Sequence, residues 1–439
     1  MSQTSPLHAG AADTQRSPDV GHDPAAWSQV VDELFELGRR VRKSELDTIN
    51  LIASDNAMPA VVSRRPVYDG HIIQEGLVGR RPFAGAAAHD ALEAKAVEIA
   101  CRVFGVEHAN VQPHSCSQAN QAVYHAILRP GDAVLALGFR AGGHLTHGLS
   151  SNFSGRHYRF LHFGAAGDER LDYVAARRLA EEAKPKLIVC GSSSYPRLFD
   201  AAELRRIADG VGARLMFDLS HEAGLIAGGA LPNIVPIADA ATMSTDKTLR
   251  GPFGGVILCR RELAAAVDKA VHPGTQSSFP IRKVATTAHC LALTQTPEFR
   301  RYAAQVLRNA RQLASAFAPG SLFTGGTDKH YIVVNVRQAF GIDGATAEQR
   351  LERVGVLSSR QTVPSDSSSK MAEASGLRLG LAWLTSRGYA EGDVASVAEI
   401  ILAALSGEPD APTLEALARR AAELGARSRP DDVWADRAH

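Results

Sequence analysis

Short apolar runs alternate with stretches of helical spacing through most of the chain. The runs that predict buried strands are residues 133–137, 186–190, 214–217 and 255–259. Between several of them apolar residues recur every three or four positions, which predicts helices over 173–183 and 202–211. Alternating strands and helices form mostly parallel sheets covered on both faces. The pattern therefore predicts an α/β fold.

The two ends of the chain show different patterns. Residues 1–24 are rich in Ser, Gly, Pro, Asp and Ala and poor in large apolar residues, which predicts a disordered tail. Further helices are predicted at 27–47, 90–104, 297–318 and 413–424, and further strands at 331–336 and 377–380.

The chain has 439 residues, beyond the size at which a single hydrophobic core stops growing, so we expect more than one domain. After the long helix at 297–318 the pattern becomes that of a smaller α+β unit. The predicted divisions are a disordered tail (1–24), an N-terminal helical segment (25–66), a large domain (67–300) and a small C-terminal domain (301–439).

Composition is that of an ordinary globular protein, with 45% hydrophobic and 22% charged residues. The formal net charge of +1 gives no reason to expect nucleic acid or an anionic membrane as a partner. The five cysteines are scattered, without CxxC pairs or metal-ligand spacing, so we expect reduced thiols and no metal site. No apolar run of about 18 residues and no secretory signal pattern is seen, so a cytoplasmic location is expected.

Two residues carry the candidate chemistry. Lys247 lies in the run STDKTLRGP, and Asp218 ends the apolar run RLMFD. Pyridoxal 5′-phosphate needs such a pair, because a lysine amine forms a Schiff base with its aldehyde and a carboxylate keeps its ring nitrogen protonated. A single lysine is far more often a solvated surface charge, so this interpretation depends on the surrounding sequence.

The surrounding motifs supply that context. The stretches NVQPHSCSQAN, GGHLTHG, FDLSHEAGL, DKTLRGP and SGLRLG, in this order, resemble the serine hydroxymethyltransferase family. The resemblance extends from about residue 26 to about residue 419. It implies the pyridoxal-phosphate fold type I, in which a large domain with a mostly parallel, seven-stranded sheet is joined to a smaller α+β C-terminal domain. It also implies a homodimer with active sites at the subunit interface.

The resemblance assigns cofactor-binding roles to residues in these motifs. Ser115, Cys116 and Ser117 precede a predicted helix and match the loop that holds the cofactor phosphate, with Cys116 in place of a glycine and expected to narrow the loop. A helix N-terminus suits a phosphate, although a serine there is more often a simple cap. The other residues implied to bind the cofactor are His144 (stacked on its ring), Ser193 (near its phenolic oxygen), Asp218, His221, Ser244 and Lys247. Without the resemblance, a satisfied buried histidine and a plain serine loop would be the ordinary readings of His144 and Ser193.

Three further residues are implied to face the amino-acid substrate. Arg378, in an apolar strand, matches the arginine that clamps the α-carboxylate, and Ser54 matches a serine that assists it. An arginine in such a strand needs a partner, so an internal salt bridge is the alternative. Glu75 matches a glutamate placed for proton transfer near the substrate hydroxyl. The implied catalytic set is thus Lys247, Glu75, His144 and Asp218.

The chain departs from the family pattern mainly on the side of the second substrate. The active-site tyrosines are missing around Glu75, and the loop that contacts the folate pteridine lacks its asparagines. The changed positions are Ile73, Leu77, Phe83, Asp246, Phe253, Ser277, Ser278, residues 359–361 and residues 380–383. A site without polar groups matched to one substrate rejects that substrate strongly.

The sequence therefore predicts a pyridoxal-phosphate enzyme of aldol and retro-aldol chemistry that forms a glycine quinonoid. The changed positions favour an L-threonine:aldehyde transaldolase, which makes a β-hydroxy-α-amino acid from an acceptor such as a nucleoside 5′-aldehyde. Tetrahydrofolate-dependent interconversion of serine and glycine is the first alternative. A non-catalytic paralogue that binds the cofactor is the second, and the presence of Lys247, Asp218, Arg378 and Glu75 argues against it.

Overall fold

The computed structural model describes residues 24–63, 72–167, 169–368 and 370–426. The chain forms two compact units that divide after Thr48. In the first unit, helix α1 (Pro24–Asp47) confirms the helix predicted at 27–47. The predicted disordered tail lies outside the described residues, apart from Pro24. No helix in the described ranges is both long enough and apolar enough to span a membrane.

The second unit contains all the strands and the remaining helices of the described chain. Its strands are β1 (Ile49–Asn50), β2 (Ile73–Glu75), β3 (His108–Asn110), β4 (Ala133–Leu137), β5 (Arg159–Phe163), β6 (Leu187–Gly191), β7 (Arg214–Asp218), β8 (Ala240–Ser244), β9 (Gly255–Cys259), β10 (Ser278–Pro280), β11 (Tyr331–Asn335), β12 (Val356–Leu357), β13 (Ser359–Gln361) and β14 (Gly376–Gly380). Its helices are α2 (Ala60–Ser63), α3 (Ala87–Phe104), α4 (Cys116–Ile127), α5 (Phe153–His157), α6 (Tyr173–Ala183), α7 (Ala201–Val211), α8 (Ala223–Ala227), α9 (Arg261–Lys269), α10 (Ile281–Leu293), α11 (Pro297–Ser315), α12 (Val336–Phe340), α13 (Gly344–Arg353), α14 (Ala382–Ser386), α15 (Glu391–Leu405) and α16 (Ala411–Ala426).

The central sheet has seven strands in the order β3-β9-β8-β7-β6-β4-β5. Neighbours from β8 through β5 are parallel, whereas β9 runs antiparallel to both β8 and β3. Helices cross over between the parallel strands, as the alternating pattern requires. The predicted α/β fold with a mostly parallel sheet is confirmed.

Both faces of this sheet are buried, which explains why its strands appear as continuous apolar runs. Along β4, Leu135 and Leu137 belong to one hydrophobic core, whereas Val134 and Ala136 belong to another on the opposite face. Successive side chains of a strand point to opposite faces, so a five-residue run contributes to both cores.

Three strands of the central sheet, β3, β5 and β8, were not predicted, and β3 has only three residues. Strand β5 lies at the edge of the sheet, and four of its five side chains are exposed or only partly buried, so it lacks an apolar run. Strand β8 reads AATMS and is fully buried. Its small side chains do not form the run of large apolar residues that predicts a strand. Strand β8 nevertheless leads directly to Lys247.

The C-terminal part of this unit has its own sheet and core. Strands β11, β14 and β13 form an antiparallel sheet in that order. Apolar residues from this sheet and from α11, α13, α15 and α16 share one core. The strands predicted at 331–336 and 377–380 are confirmed. The boundary between a large and a small domain at residue 300 remains a prediction.

Candidate functional site

The predicted site residues converge where the parallel strands of the central sheet end. Asp218 is the last residue of β7, and the loops after β4, β6 and β8 carry His144, Ser193 and Lys247. Ligands of open α/β sheets bind outside the carboxyl ends of the strands, because the loops there diverge and leave a crevice. A cavity of about 410 Å³ lies at this edge, lined by Ser54, Asp55, Ser115, Cys116, Ser117, His144, Ser192, Ser193, Asp218, Ser220, His221, Ser244, Asp246, Lys247 and Phe253.

Lys247 presents its amine to this cavity. Its Nζ lies 3.2 Å from Nε2 of His221, and its backbone carbonyl accepts a 2.8 Å hydrogen bond from Asn56 Nδ2. Burial lowers the pKa of Lys247, and the nearby Asp218 carboxylate offsets only part of this effect. A lowered pKa makes more of the uncharged amine available, and the uncharged amine is the form that attacks an aldehyde.

Asp218 is held as a carboxylate by a group of hydrogen-bond donors. Asn120 Nδ2 donates to one oxygen at 2.8 Å, and the hydroxyl of Ser220 donates to the other at 2.6 Å. Burial alone would raise the pKa of Asp218, but the His147 and His144 imidazoles and the Ser220 hydroxyl lower the pKa below its usual range. An ionised, buried carboxylate is the group that can keep a ring nitrogen protonated.

His147 supports Asp218 from behind and was not identified from the sequence. Its Nε2 lies 3.4 Å from Oδ2 of Asp218, and its Nδ1 lies 2.7 Å from the Tyr124 hydroxyl. If that hydroxyl donates to Nδ1, the proton on Nε2 faces the carboxylate. His147 lies in GGHLTHG, three residues beyond His144, so the motif already contained the signal.

His144 provides a flat, uncharged ring in the cavity wall. Burial lowers the pKa of His144 to about 4, so the imidazole is neutral at physiological pH. Its Nδ1 lies 2.6 Å from the hydroxyl of Thr146, which fixes the ring through its edge. A neutral ring fixed in this way leaves its face free for stacking, as the sequence predicts.

His221 is the end of a buried chain of polar groups. Its Nδ1 lies 3.0 Å from Nε2 of His330, and the two rings stack with centroids 5.2 Å apart. Burial lowers the pKa of both imidazoles well below the usual value, so both are neutral. Glu222, which follows His221, forms a buried ion pair with Lys329, which precedes His330. This ion pair ties the two segments together. No local pattern in the sequence connects these four residues.

The N-terminus of α4 forms another wall of the cavity. Ser115 caps this helix by accepting a hydrogen bond from the backbone N–H of Gln118, and Ser115 and Ser117 both line the cavity. Hydroxyls and free N–H groups at a helix N-terminus match the needs of a phosphate. The Cys116 thiol lies 2.9 Å from the Ser220 hydroxyl and 3.5 Å from an oxygen of Asp218. Cys116 therefore contacts the Asp218 end of the cavity.

Arg378 lies on β14 beside the cavity. Only 7% of the residue is exposed, and within the described residues its guanidinium has no carboxylate within ion-pair distance. Its Nη1 donates to the Ser193 carbonyl at 2.6 Å and its Nε to the Ser359 hydroxyl at 3.3 Å. The predicted alternative, an internal salt bridge, is not found in that part of the chain. A second charged edge of the guanidinium is left for a ligand carboxylate.

Ser54 and Glu75 are placed differently. Ser54 lines the cavity, and its hydroxyl donates to the Asp55 carboxylate at 3.3 Å. Glu75 does not line the cavity of this single chain. It ends β2, and its Oε1 lies 3.4 Å from Nε2 of His272. Its role at the substrate hydroxyl stays a prediction.

A metal has to be considered, because donor atoms of His144, His147 and Asp218 lie within 4.8 Å of one another. However, Asp218 already accepts hydrogen bonds from Asn120 and Ser220, and Tyr124 engages His147. The cavity as a whole fits pyridoxal phosphate better. It combines a buried amine, a buried carboxylate at the strand ends, a flat imidazole and a hydroxyl-rich helix N-terminus.

Fold and site together define a class of protein. A mostly parallel seven-stranded sheet, with a partly buried lysine and a buried aspartate in one cavity at its carboxyl edge, is the architecture of the fold type I transferases that use pyridoxal 5′-phosphate.

Comparison with known proteins narrows the class. The family model described as serine hydroxymethyltransferase matches residues 28–401. The chain is also 40% identical over 410 residues to a protein of Lactobacillus johnsonii named serine hydroxymethyltransferase, covering 91% of this chain and 97% of that protein. The chain belongs to the serine hydroxymethyltransferase family, and its cofactor is pyridoxal 5′-phosphate.

Proposed function

We propose that this enzyme is an L-threonine:aldehyde transaldolase. In this reaction the Cα–Cβ bond of L-threonine breaks and acetaldehyde leaves. The same α-carbon then forms a bond to the carbonyl carbon of a larger aldehyde, so the product is a new β-hydroxy-α-amino acid. When bound, pyridoxal phosphate supplies the aldehyde that captures the substrate amine and the ring that withdraws electrons from the α-carbon.

The observation that carries this proposal is the chemistry of the cavity wall. The described residues that line the cavity include no tyrosine, and the rim carries the aromatic Phe253, 73% exposed in the single chain. Most of the polar residues that line it are those expected to hold the cofactor and the α-amino acid. An exposed aromatic side chain at the rim suits an aldehyde with an apolar or aromatic part better than a small polar hydroxymethyl donor.

The segment expected to meet folate is engaged elsewhere. Residues 359–361 form β13 and pair with β14, and Ser359 accepts a hydrogen bond from Arg378. Arg360 forms a 2.6 Å ion pair with Glu348. A pteridine buries several donors and acceptors, and each one left unpaired costs about 1–3 kcal/mol. Two or three such losses would weaken folate binding by roughly a few powers of ten.

In this reaction the residues of the chain bind, orient and move protons. Arg378 and Ser54 hold the α-carboxylate, His144 packs on the ring, and Asp218 keeps a proton on the ring nitrogen. Lys247 exchanges protons at the α-carbon side. Glu75 serves the β-hydroxyl of the substrate in the cavity of a second copy, which accounts for its absence from the cavity of its own chain.

Tetrahydrofolate-dependent hydroxymethyl transfer is the second candidate. The observation that favours it is the 40% identity to a protein named serine hydroxymethyltransferase over nearly the whole of both chains.

The two candidates separate in one experiment. Purified enzyme with pyridoxal phosphate is incubated with L-threonine and a panel of aromatic and sugar-type aldehydes, without folate, and products are identified by mass spectrometry. A parallel reaction contains L-serine and tetrahydrofolate, and the Lys247→Ala variant serves as the inactive control. New β-hydroxy amino acids in the first reaction support the transaldolase. Turnover of L-serine alone, and only with folate, would establish hydroxymethyl transfer instead.

A further inference from the structure

Lys283 is a buried lysine outside the cavity whose ammonium is surrounded by backbone carbonyls. It is the third residue of α10, and only 8% of it is exposed. Its Nζ donates to the carbonyls of Val111 at 2.6 Å, Pro113 at 2.7 Å and Gly255 at 3.4 Å. In the described part of the chain it has no carboxylate within ion-pair distance. A buried lysine without a carboxylate partner is costly, so its position calls for an explanation.

The three carbonyls belong to two segments that meet beneath Ser115. Val111 and Pro113 lie in the segment that leads from β3 into the N-terminus of α4, and Gly255 begins β9. The Pro113 carbonyl also accepts a 3.0 Å hydrogen bond from the N–H of Gly255. A Cβ at Gly255 would come within 2.5 Å of the Ser115 carbonyl, so only glycine allows this approach. Lys283 therefore clamps the Ser115 loop onto the central sheet.

We infer that Lys283 is a positioning residue for the cofactor phosphate, fixing the Ser115–Ser117 loop and adding positive charge beneath it. The inference rests on the assignment of Ser115 and Ser117 to the phosphate, and it is independent of which aldehyde the enzyme uses. Phosphate sites gain affinity from a nearby cation because the interior screens charge poorly. A lysine behind the loop can supply that charge without occupying the cavity.

The charge on Lys283 is sensitive to pH near neutrality. Burial lowers its pKa to about 7, and the Glu93 carboxylate on α3 opposes this effect. The other titratable group close to it is His114, whose pKa is lowered by burial and by the charge of Lys283. Glu93 is itself paired with Arg81. A phosphate dianion favours the charged form of Lys283, so binding of the phosphate takes up a proton and weakens as pH rises through about 7.

The test compares two ligands that differ only in the phosphate. Dissociation constants of pyridoxal phosphate and of pyridoxal are measured by absorbance titration of cofactor-free protein, for the wild type and for Lys283→Met. We expect the variant to bind pyridoxal phosphate roughly tenfold or more weakly and pyridoxal almost unchanged, because only the former interacts with the charge. Lys95→Met, which removes an exposed lysine from α3, is the matched control and should change neither constant.

Two further measurements separate charge from folding. Lys283→Arg keeps the charge and should retain most of the preference for pyridoxal phosphate. The preference for pyridoxal phosphate, given by the dissociation constant of pyridoxal divided by that of pyridoxal phosphate, should fall in wild-type protein as pH rises from 6 to 8. This fall should exceed the change in Lys283→Met, because ionisation of the phosphate itself is common to both proteins. Equal weakening of both ligands in Lys283→Met, or no weakening, would overturn the inference. If Lys283→Met fails to fold, Lys283→Arg decides the question. Equal dissociation constants for pyridoxal phosphate and pyridoxal in Lys283→Arg would overturn the inference as well.

Discussion

The guanidinium of Arg378 offers the sharpest test of how the substrate is bound. In Arg378→Gln the side chain keeps a hydrogen-bond donor for the Ser193 carbonyl but loses its charge and its second edge. Burial already lowers the pKa of Arg378, with only the more distant Tyr331 and Asp55 opposing that effect. Within the described residues this charge has no carboxylate at ion-pair distance, and a bound α-carboxylate would supply one.

The magnitude follows from that arrangement. Truncating one partner of a buried, hydrogen-bonded charge pair costs about 2–5 kcal/mol, largely because the other charge is left unpaired. This corresponds to a loss of amino-acid affinity of roughly 30- to 5,000-fold. Cofactor binding should change little, because Arg378 contacts Ser193 through the backbone carbonyl of that residue, and the glutamine keeps a donor for this carbonyl.

The assay is a titration of the holoenzyme with glycine and with methylamine, followed by the absorbance of the cofactor. Methylamine has the amine of glycine without its carboxylate, so Arg378→Gln should weaken glycine strongly and methylamine hardly at all. Arg360→Gln is the matched control, since Arg360 lies on the adjacent strand in a half-buried ion pair with Glu348 and such pairs contribute at most about 1 kcal/mol. Unchanged glycine affinity in Arg378→Gln, or equal loss for both amines, would refute the clamp.

Three further predictions concern the cofactor site. Borohydride reduction of the holoenzyme followed by peptide mapping should place the pyridoxyl mass on the Lys247 peptide; a label on another lysine would reject the assignment. Because burial lowers the pKa of Lys247, reductive methylation of cofactor-free protein should modify it at a lower pH than exposed Lys95, and identical pH profiles would contradict this. Asp218→Asn removes the charge from a hydrogen bond worth about 1.5–3 kcal/mol, so threonine cleavage should slow by roughly 10- to 150-fold while the cofactor stays attached; an unchanged rate would exclude this role.

Sequence patterns anticipated the parts of the fold that depend on apolar runs. Strands β4 and β9 match their predicted bounds, because all five residues of each strand are buried. Strand β8 was missed because its alanines and polar residues are weakly hydrophobic. It is buried because neighbouring strands and helices cover it. Tertiary packing, absent from any local window, decides such strands.

The residues of the site also divide into those that the sequence indicated and those that it did not. Asp218, His144 and Lys247 each lie in a motif that resembles the family, so their proximity could be expected from that resemblance. His330 and His221 are 109 positions apart in the chain, and yet their rings stack. Long-range pairings of this kind leave no periodic trace, because each residue is compatible by itself with an ordinary buried histidine. Glu75 poses a further problem, since its proposed partner belongs to another copy of the chain.

Three lysines that are largely shielded from water illustrate what decides the chemistry of a residue. Lys329 forms an ion pair with Glu222, which raises its pKa against the effect of burial, so it stays charged and holds two segments together. Lys283 is surrounded by carbonyls, which carry no full negative charge, and burial lowers its pKa to about 7. Lys247 faces a neutral imidazole and an open cavity, and its pKa is lowered while its amine stays accessible. Desolvation acts on all three amines, so the group opposite each amine determines its role. The three roles are a structural cation, a cation whose charge changes with pH near neutrality, and a nucleophile.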